Sequence, residues 1–216
     1  MAGNTTHLDQ RELWDISPRI SSRLAVFPGD TAFERQVLLD LERGNNITLS
    51  TIRATVHLGA HADAPNHYHA SGGGIEGRDL RLYLGPAQVI EVAGRRGERL
   101  RPDDLGGVSI QAPRILFKTG TFPDPEQWNA DFMALSADLV SWLADQGVRL
   151  VGIDTPSIDP AADAELESHG TVARRDMAIL EGLVLERVPP GVYELIALPL
   201  PLEGLDASPV RAILVR

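Results

Sequence analysis

Apolar residues along the chain gather in short runs bounded by glycine, proline and polar turn residues, a pattern of strands more than of helices. Leu13-Trp14-Asp15-Ile16-Ser17 predicts a first strand, and a second extended piece ends at Val26-Phe27 before the turn signal Pro28-Gly29-Asp30. Phe33 to Leu41 and Ile47 to Val56 predict two strands joined by a turn at Gly44-Asn45-Asn46. In the second of these the apolar positions change parity between Leu49 and Ile52, which predicts a bulge or twist. Ala87 to Val92, Arg114 to Lys118 and Leu150 to Ile153 read as further strands, and residues 94–107 as a polar connection. Ser136 is a natural N-cap for a helix running to about Gln146, with Leu139, Val140 and Leu143 inward and Gly147 as its stop. A short amphipathic helix is predicted from Thr171 to about Ala178, and closing strands over Tyr193 to Leu200 and Pro209 to Val215. Strands and helices alternate irregularly, so the expected fold is mixed α/β with one layered core, not a doubly wound sheet.

Length and charge narrow the classes of partner. At 216 residues the chain is expected to form one domain, with residues 1–10 as a loose arm. A formal charge of −10 without any Lys/Arg block argues against nucleic acid or an anionic membrane surface as partner. No stretch approaches the apolar length of a membrane span and the N-terminus has no apolar leader pattern, so the expected location is cytoplasmic. Cysteine is absent, which leaves only nitrogen and oxygen donors for any metal.

The chemistry concentrates in one place. Of six histidines, four (His57, His61, His67 and His69) fall within thirteen residues, interleaved with Asp63, Gly59 and Pro65. Glycine and proline both oppose a helix here, so the segment is expected to be strand or loop. In a straight strand, residues four apart are separated by roughly 13 Å, too far to share one ion, so the chain must bend at Gly59. Each histidine alone reads as a half-exposed surface residue; together with the carboxylate they suit a divalent ion. The run Ser71-Gly72-Gly73-Gly74 is expected to be a flexible loop beside this site; with no Lys-Ser/Thr after it, it is no phosphate loop. Asp154 and Asp159, after the Leu150–Ile153 strand, are placed where carboxylates are either catalytic or cap the next helix, and they read as structural. Glu181 lies among Ile179, Leu180, Leu183 and Val184, where an ionised carboxylate needs a partner or a cation. His169 taken alone is an ordinary helix-flanking histidine.

The pattern His57-x-Gly59-x-His61-x-Asp63-x-Pro65-x-His67 resembles the metal signature of the cyclase-type amidohydrolases, most closely their bacterial kynurenine formamidase branch, in which Ala60 is also common. The resemblance extends over nearly the whole chain, and it implies the swivelling β/β/α fold and a homodimer. It also implies two zinc ions, or manganese or another divalent ion. His57, His61, Asp63 and Glu181 would hold one; Asp63, His169 and Glu181 would hold the other. His67, outside that set, would be the catalytic proton donor and acceptor, and Phe27 a wall for the aryl group of the substrate. The implied reaction is hydrolysis of N-formyl-L-kynurenine to L-kynurenine and formate. Hydrolysis of another aryl or cyclic amide, as in isatin-hydrolase-like relatives, is the alternative within enzymes, and a non-catalytic metal-binding protein the alternative outside them.

Overall fold

Three runs that show no apolar alternation form the centre of one nine-stranded sheet, because their strands are covered on both faces. The computed structural model describes residues 11–216, so the arm expected at residues 1–10 lies outside them. In chain order the strands are β1 (Leu13–Asp15), β2 (Glu34–Leu39), β3 (Leu49–Arg53), β4 (His61–Asp63), β5 (Leu84–Glu91), β6 (Arg99–Leu100) and β7 (Arg114–Lys118). There follow β8 (Ala134–Leu135), β9 (Leu150–Ile153), β10 (Ala178–Glu181), β11 (Gly191–Ile196), β12 (Ala207–Pro209) and β13 (Ile213–Val215). The helices are α1 (Pro65–Tyr68), α2 (Ala137–Asp145) and α3 (Glu167–Arg174).

The large sheet runs β1-β13-β11-β5-β7-β9-β10-β4-β12. Its middle, β5-β7-β9-β10, is parallel, and the flanking pairs are antiparallel. Ile115, Phe117, Val151, Ile153 and Ile179 pack on one face against Leu139, Val140 and Leu143 of α2 and Val172 of α3. Val89, Leu116, Leu180, Leu195 and Leu214 build a second apolar layer on the other face. The mixed α/β expectation therefore holds. Among the described residues no helix is long and apolar enough to cross a membrane.

Several local expectations change. No strand forms in the piece ending at Val26-Phe27, and residues 94–107 contribute β6, which pairs in parallel with β8. The extra residue in the β2–β3 hairpin falls between Val37 and Leu39, on the strand opposite the predicted bulge. The run Pro209 to Val215 splits between β12, beside β4 on one sheet edge, and β13, beside β1 near the other. The second helix begins at Glu167 and ends at Arg174, so His169 lies inside it and Ala178 starts a strand.

Candidate metal centre

Backbone pairing brings the two halves of the site together. In the antiparallel register of β4 with β10, Glu181 stands opposite His61, though 120 positions separate them. Gly59 turns the chain into β4 with φ +60°, the bend required by the histidine spacing. Gly182, with φ +65°, passes so close that a Cβ there would lie 2.2 Å from the Gly59 carbonyl oxygen. Only glycine admits that approach. After β4 the expected strand or loop gives way to one helical turn: Ala64 is extended, Pro65 takes the first helical position, and the turn carries His67. In the following glycine run one residue is closely placed. Gly72 packs against the Pro65 backbone and Asn66 donates its N–H to Gly73 O at 3.2 Å.

His169 sits in the first turn of α3, where Leu166 provides no side-chain cap. Asp159 supplies it from outside the helix. Its Oδ2 accepts the N–H groups of Ser168 at 3.1 Å and His169 at 3.0 Å, and also Nδ1–H of His169 at 2.7 Å. Arg99 holds Asp159 in turn, at 2.5 Å. The expected capping role of Asp159 is thus real, and it also fixes the His169 tautomer with Nε2 bare. His61 is prepared in the same way, Nδ1 donating to the Gly59 carbonyl at 2.8 Å. Asp154 is purely a loop cap, accepting from the N–H groups of Thr119 and Gly120.

The donor atoms converge, Glu181 Oε1 being held in place by the Ile158 N–H at 2.7 Å. Asp63 Oδ1 lies 3.2 Å from His57 Nδ1 and 3.3 Å from His61 Nε2, while Asp63 Oδ2 lies 3.4 Å from His169 Nε2. Glu181 repeats the pattern, Oε2 3.3 Å from His61 Nε2 and Oε1 3.4 Å from His169 Nε2. Each carboxylate therefore shows one oxygen to the His61 side and one to the His169 side. Two donors held about 2.0–2.1 Å from one ion at a tetrahedral angle stand about 3.3 Å apart, longer than an ordinary hydrogen bond. His61 Nε2 and both Asp63 oxygens are buried without any hydrogen-bond partner. Orphaned buried polar atoms cost enough to need a reason, and a shared cation supplies one. The donor set fits a divalent metal.

Electrostatics agree. Burial alone would lower the His61 pKa, but Asp63 and Glu181 outweigh it and raise the ring to about 10. Burial likewise opposes the charge on Asp63, yet the surrounding imidazoles of His169, His57 and His61 hold its carboxyl well below the usual range. His169 is raised well above an ordinary histidine, burial being overcome by Asp159, Asp63 and Glu181. Such a cluster demands positive charge at its centre. A divalent ion meets the demand by displacing protons from the imidazoles.

His67 stands beside these groups, partly exposed, its ring 4.2 Å from that of His57. His57, Asp63 and His67 also offer donor atoms within 4.8 Å of one another. Nδ1 of His67 faces Asp206 Oδ2 at 3.5 Å, and the same oxygen lies 3.0 Å from His57 Nε2. Asp206 has no signal in the sequence; the pairing of β12 with β4 delivers it beside Asp63. His69 is separated from the cluster, exposed and bonded to Ser71 Oγ at 3.1 Å. A cavity of about 650 Å³ opens over the centre, and Phe27 lines it. Trp128, 4.8 Å from Phe27 between ring centres, and Phe122 extend the aromatic wall from a loop whose sequence shows no periodicity.

The sequence profile of the "Putative cyclase" family matches residues 14–160. A kynurenine formamidase of Bordetella avium (strain 197N) is 47% identical over 206 residues, 94% of this chain and 98% of the relative. A solved structure described as a potential metal-dependent hydrolase with cyclase activity has a TM-score of 0.83 at 29% identity, covering 95% of this chain and 98% of that one. Isatin hydrolase A of Labrenzia aggregata has a TM-score of 0.79 at 20% identity, covering 95% of this chain and 93% of that one.

Proposed function

Since this chain belongs to the cyclase family and has its swivelling β/β/α fold, we propose that it hydrolyses N-formyl-L-kynurenine to L-kynurenine and formate. The convergence of three imidazoles and two carboxylates, with bare donor atoms under an aromatic-walled cavity, carries this reading. His57, His61, Asp63 and Glu181 would hold one divalent ion, and Asp63, His169 and Glu181 a second, with zinc the metal best suited to such donors. What the ions supply when bound is Lewis acidity toward a carbonyl and acidification of a water molecule.

The chain's own residues do the rest. Breaking the formamide leaves an arylamine nitrogen that must take a proton as it departs. His67 is the proton donor, through Nε2, because Nδ1 faces the Asp206 carboxylate. Asp206 is a positioning residue that takes the Nε2 hydrogen bond of His57, leaving its Nδ1 toward Asp63, and faces His67. Asp159 likewise takes the Nδ1 hydrogen bond of His169. Phe27, with Trp128, packs on the aryl ring. Phe27→Ala therefore raises KM with little change in kcat or metal content, because it removes binding common to substrate and transition state. Kinetics that do not change would return Phe27 to packing alone.

The direct experiment is turnover of N-formyl-L-kynurenine, followed by the absorbance of the released arylamine and by formate. Steady hydrolysis is expected; none by metal-loaded protein would overturn the reading. A single-ion isatin-hydrolase-like chemistry is disfavoured by the pairing of each carboxylate with both His61 and His169, and those neighbours bear on the fold alone. The protein is further proposed to act in the cytoplasm as a homodimer. In support of the dimer, the β2–β3 hairpin and its turns expose Leu38, Leu41, Ile47, Leu49 and Ile52, an apolar surface a second copy would cover.

A further inference from the structure

The cavity is strongly acidic: it is lined by Asp30, Asp154, Asp163, Glu181, Glu186 and Asp206. Against these carboxylates stands, among the described residues, a single Lys or Arg side chain, that of Lys118. Lys118 is also the only lysine in the chain, every other such cation being arginine. Two arginines shielded from water are fully engaged, Arg99 with Asp159 and Asp163, and Arg114, at the other end of β7, with the carbonyls of Arg81, Leu82 and Pro86. Lys118 is not. Its side chain is 17% exposed, yet its partners are distant, Glu91 Oε2 at 3.5 Å and the Val188 carbonyl at 3.4 Å. Glu91 itself is largely in water. A mostly desolvated ammonium held this loosely favours a closer anion.

Its place in the sheet says which part of a ligand that anion belongs to. Lys118 ends β7 and Glu181 ends β10, with β9 between them in parallel register. Two strand spacings put these positions about 10 Å apart along the rim of the sheet, with Lys118 on the face of Leu116 and Glu181 on the face of Ile179, so a ligand that joins them passes over the rim through the cavity both residues line. A formamide over the metal centre could therefore reach Lys118 only through a chain of several bonds ending in a negative charge. An aryl amino acid has that shape. We propose that Lys118 binds the α-carboxylate of the substrate, so that the site selects aryl formamides bearing an amino-acid group over those without one; this rests on the formamidase reading above.

The test compares kcat/KM for N-formyl-L-kynurenine with that for N-formyl-2-aminoacetophenone, which keeps the aryl ketone and the formamide but has no carboxylate. In Lys118→Met the ratio of the two should fall about 10- to 100-fold, the worth of one charge-assisted contact. Lys118→Arg, which keeps the charge, should recover part of it. An unchanged ratio in Lys118→Met, or Lys118→Arg behaving like Lys118→Met, overturns the proposal. Should Lys118→Met fail to fold, the wild-type protein decides: the methyl ester of N-formyl-L-kynurenine should be hydrolysed with a kcat/KM lower by a similar factor, and equal values for acid and ester overturn the proposal. Hydrolysis of neither amide by the wild-type protein overturns the formamidase reading itself, and this inference with it.

Discussion

Asp63→Ala is expected to lose its metal and its activity together. Asp63 is buried, and its two oxygens face opposite sides of the centre, toward His57 and His61 on one side and His169 on the other. Among the described residues only Glu181 also spans both sides. Removing it strips a negative charge from three crowded imidazoles, so the remaining donors would hold one ion weakly and a second not at all. Elemental analysis of the purified variant should find well under one ion per chain, with turnover at background. Circular dichroism should show the sheet retained, since β4 is held by backbone pairing to β10 and β12. An Asp63→Ala protein with a full complement of metal would remove Asp63 from the ligand set.

His67→Ala is expected to fail in another way. It should keep its metal and lose the proton-transfer contribution, about 10²- to 10⁴-fold in kcat. The deficit should shrink for aryl formamides whose amine carries electron-withdrawing groups, since a better leaving group needs less help from an acid. The position of His67 makes this a sharp test, because its donor atom is close enough to those of His57 and Asp63 to join them. If His67→Ala loses an ion, His67 is a ligand and the proton must come from elsewhere. If it keeps both metal and kcat, no proton passes through it.

Three of the five residues proposed as ligands were legible because their types and spacing are local, while His169 and Glu181 were named only through the family resemblance. His57, His61 and Asp63 lie within seven residues, and Gly59 announces the bend that gathers them. The strands β7 and β9 were legible too, since burial on both faces leaves an unbroken apolar run. What escaped the sequence depends on distant partners. The start of α3 was misread because its cap is Asp159, outside the helix, while Leu166 at the cap position carries no capping group. Asp206 is invisible until β12 pairs with β4. Trp128 and Phe122 arrive on a loop without periodicity. The glycine run at 72–74 suggests mobility by composition; within it Gly72 uses its small size for close contact with the Pro65 backbone.

Central to the account is that hydrolysis depends on two divalent ions held between His57, His61, Asp63, His169 and Glu181. Metal-free protein titrated with zinc while N-formyl-L-kynurenine turnover is recorded tests this directly. Activity absent at the start and rising to a plateau at about two equivalents per chain is the predicted result. Full turnover in the metal-free protein, or a plateau at one equivalent, would contradict it.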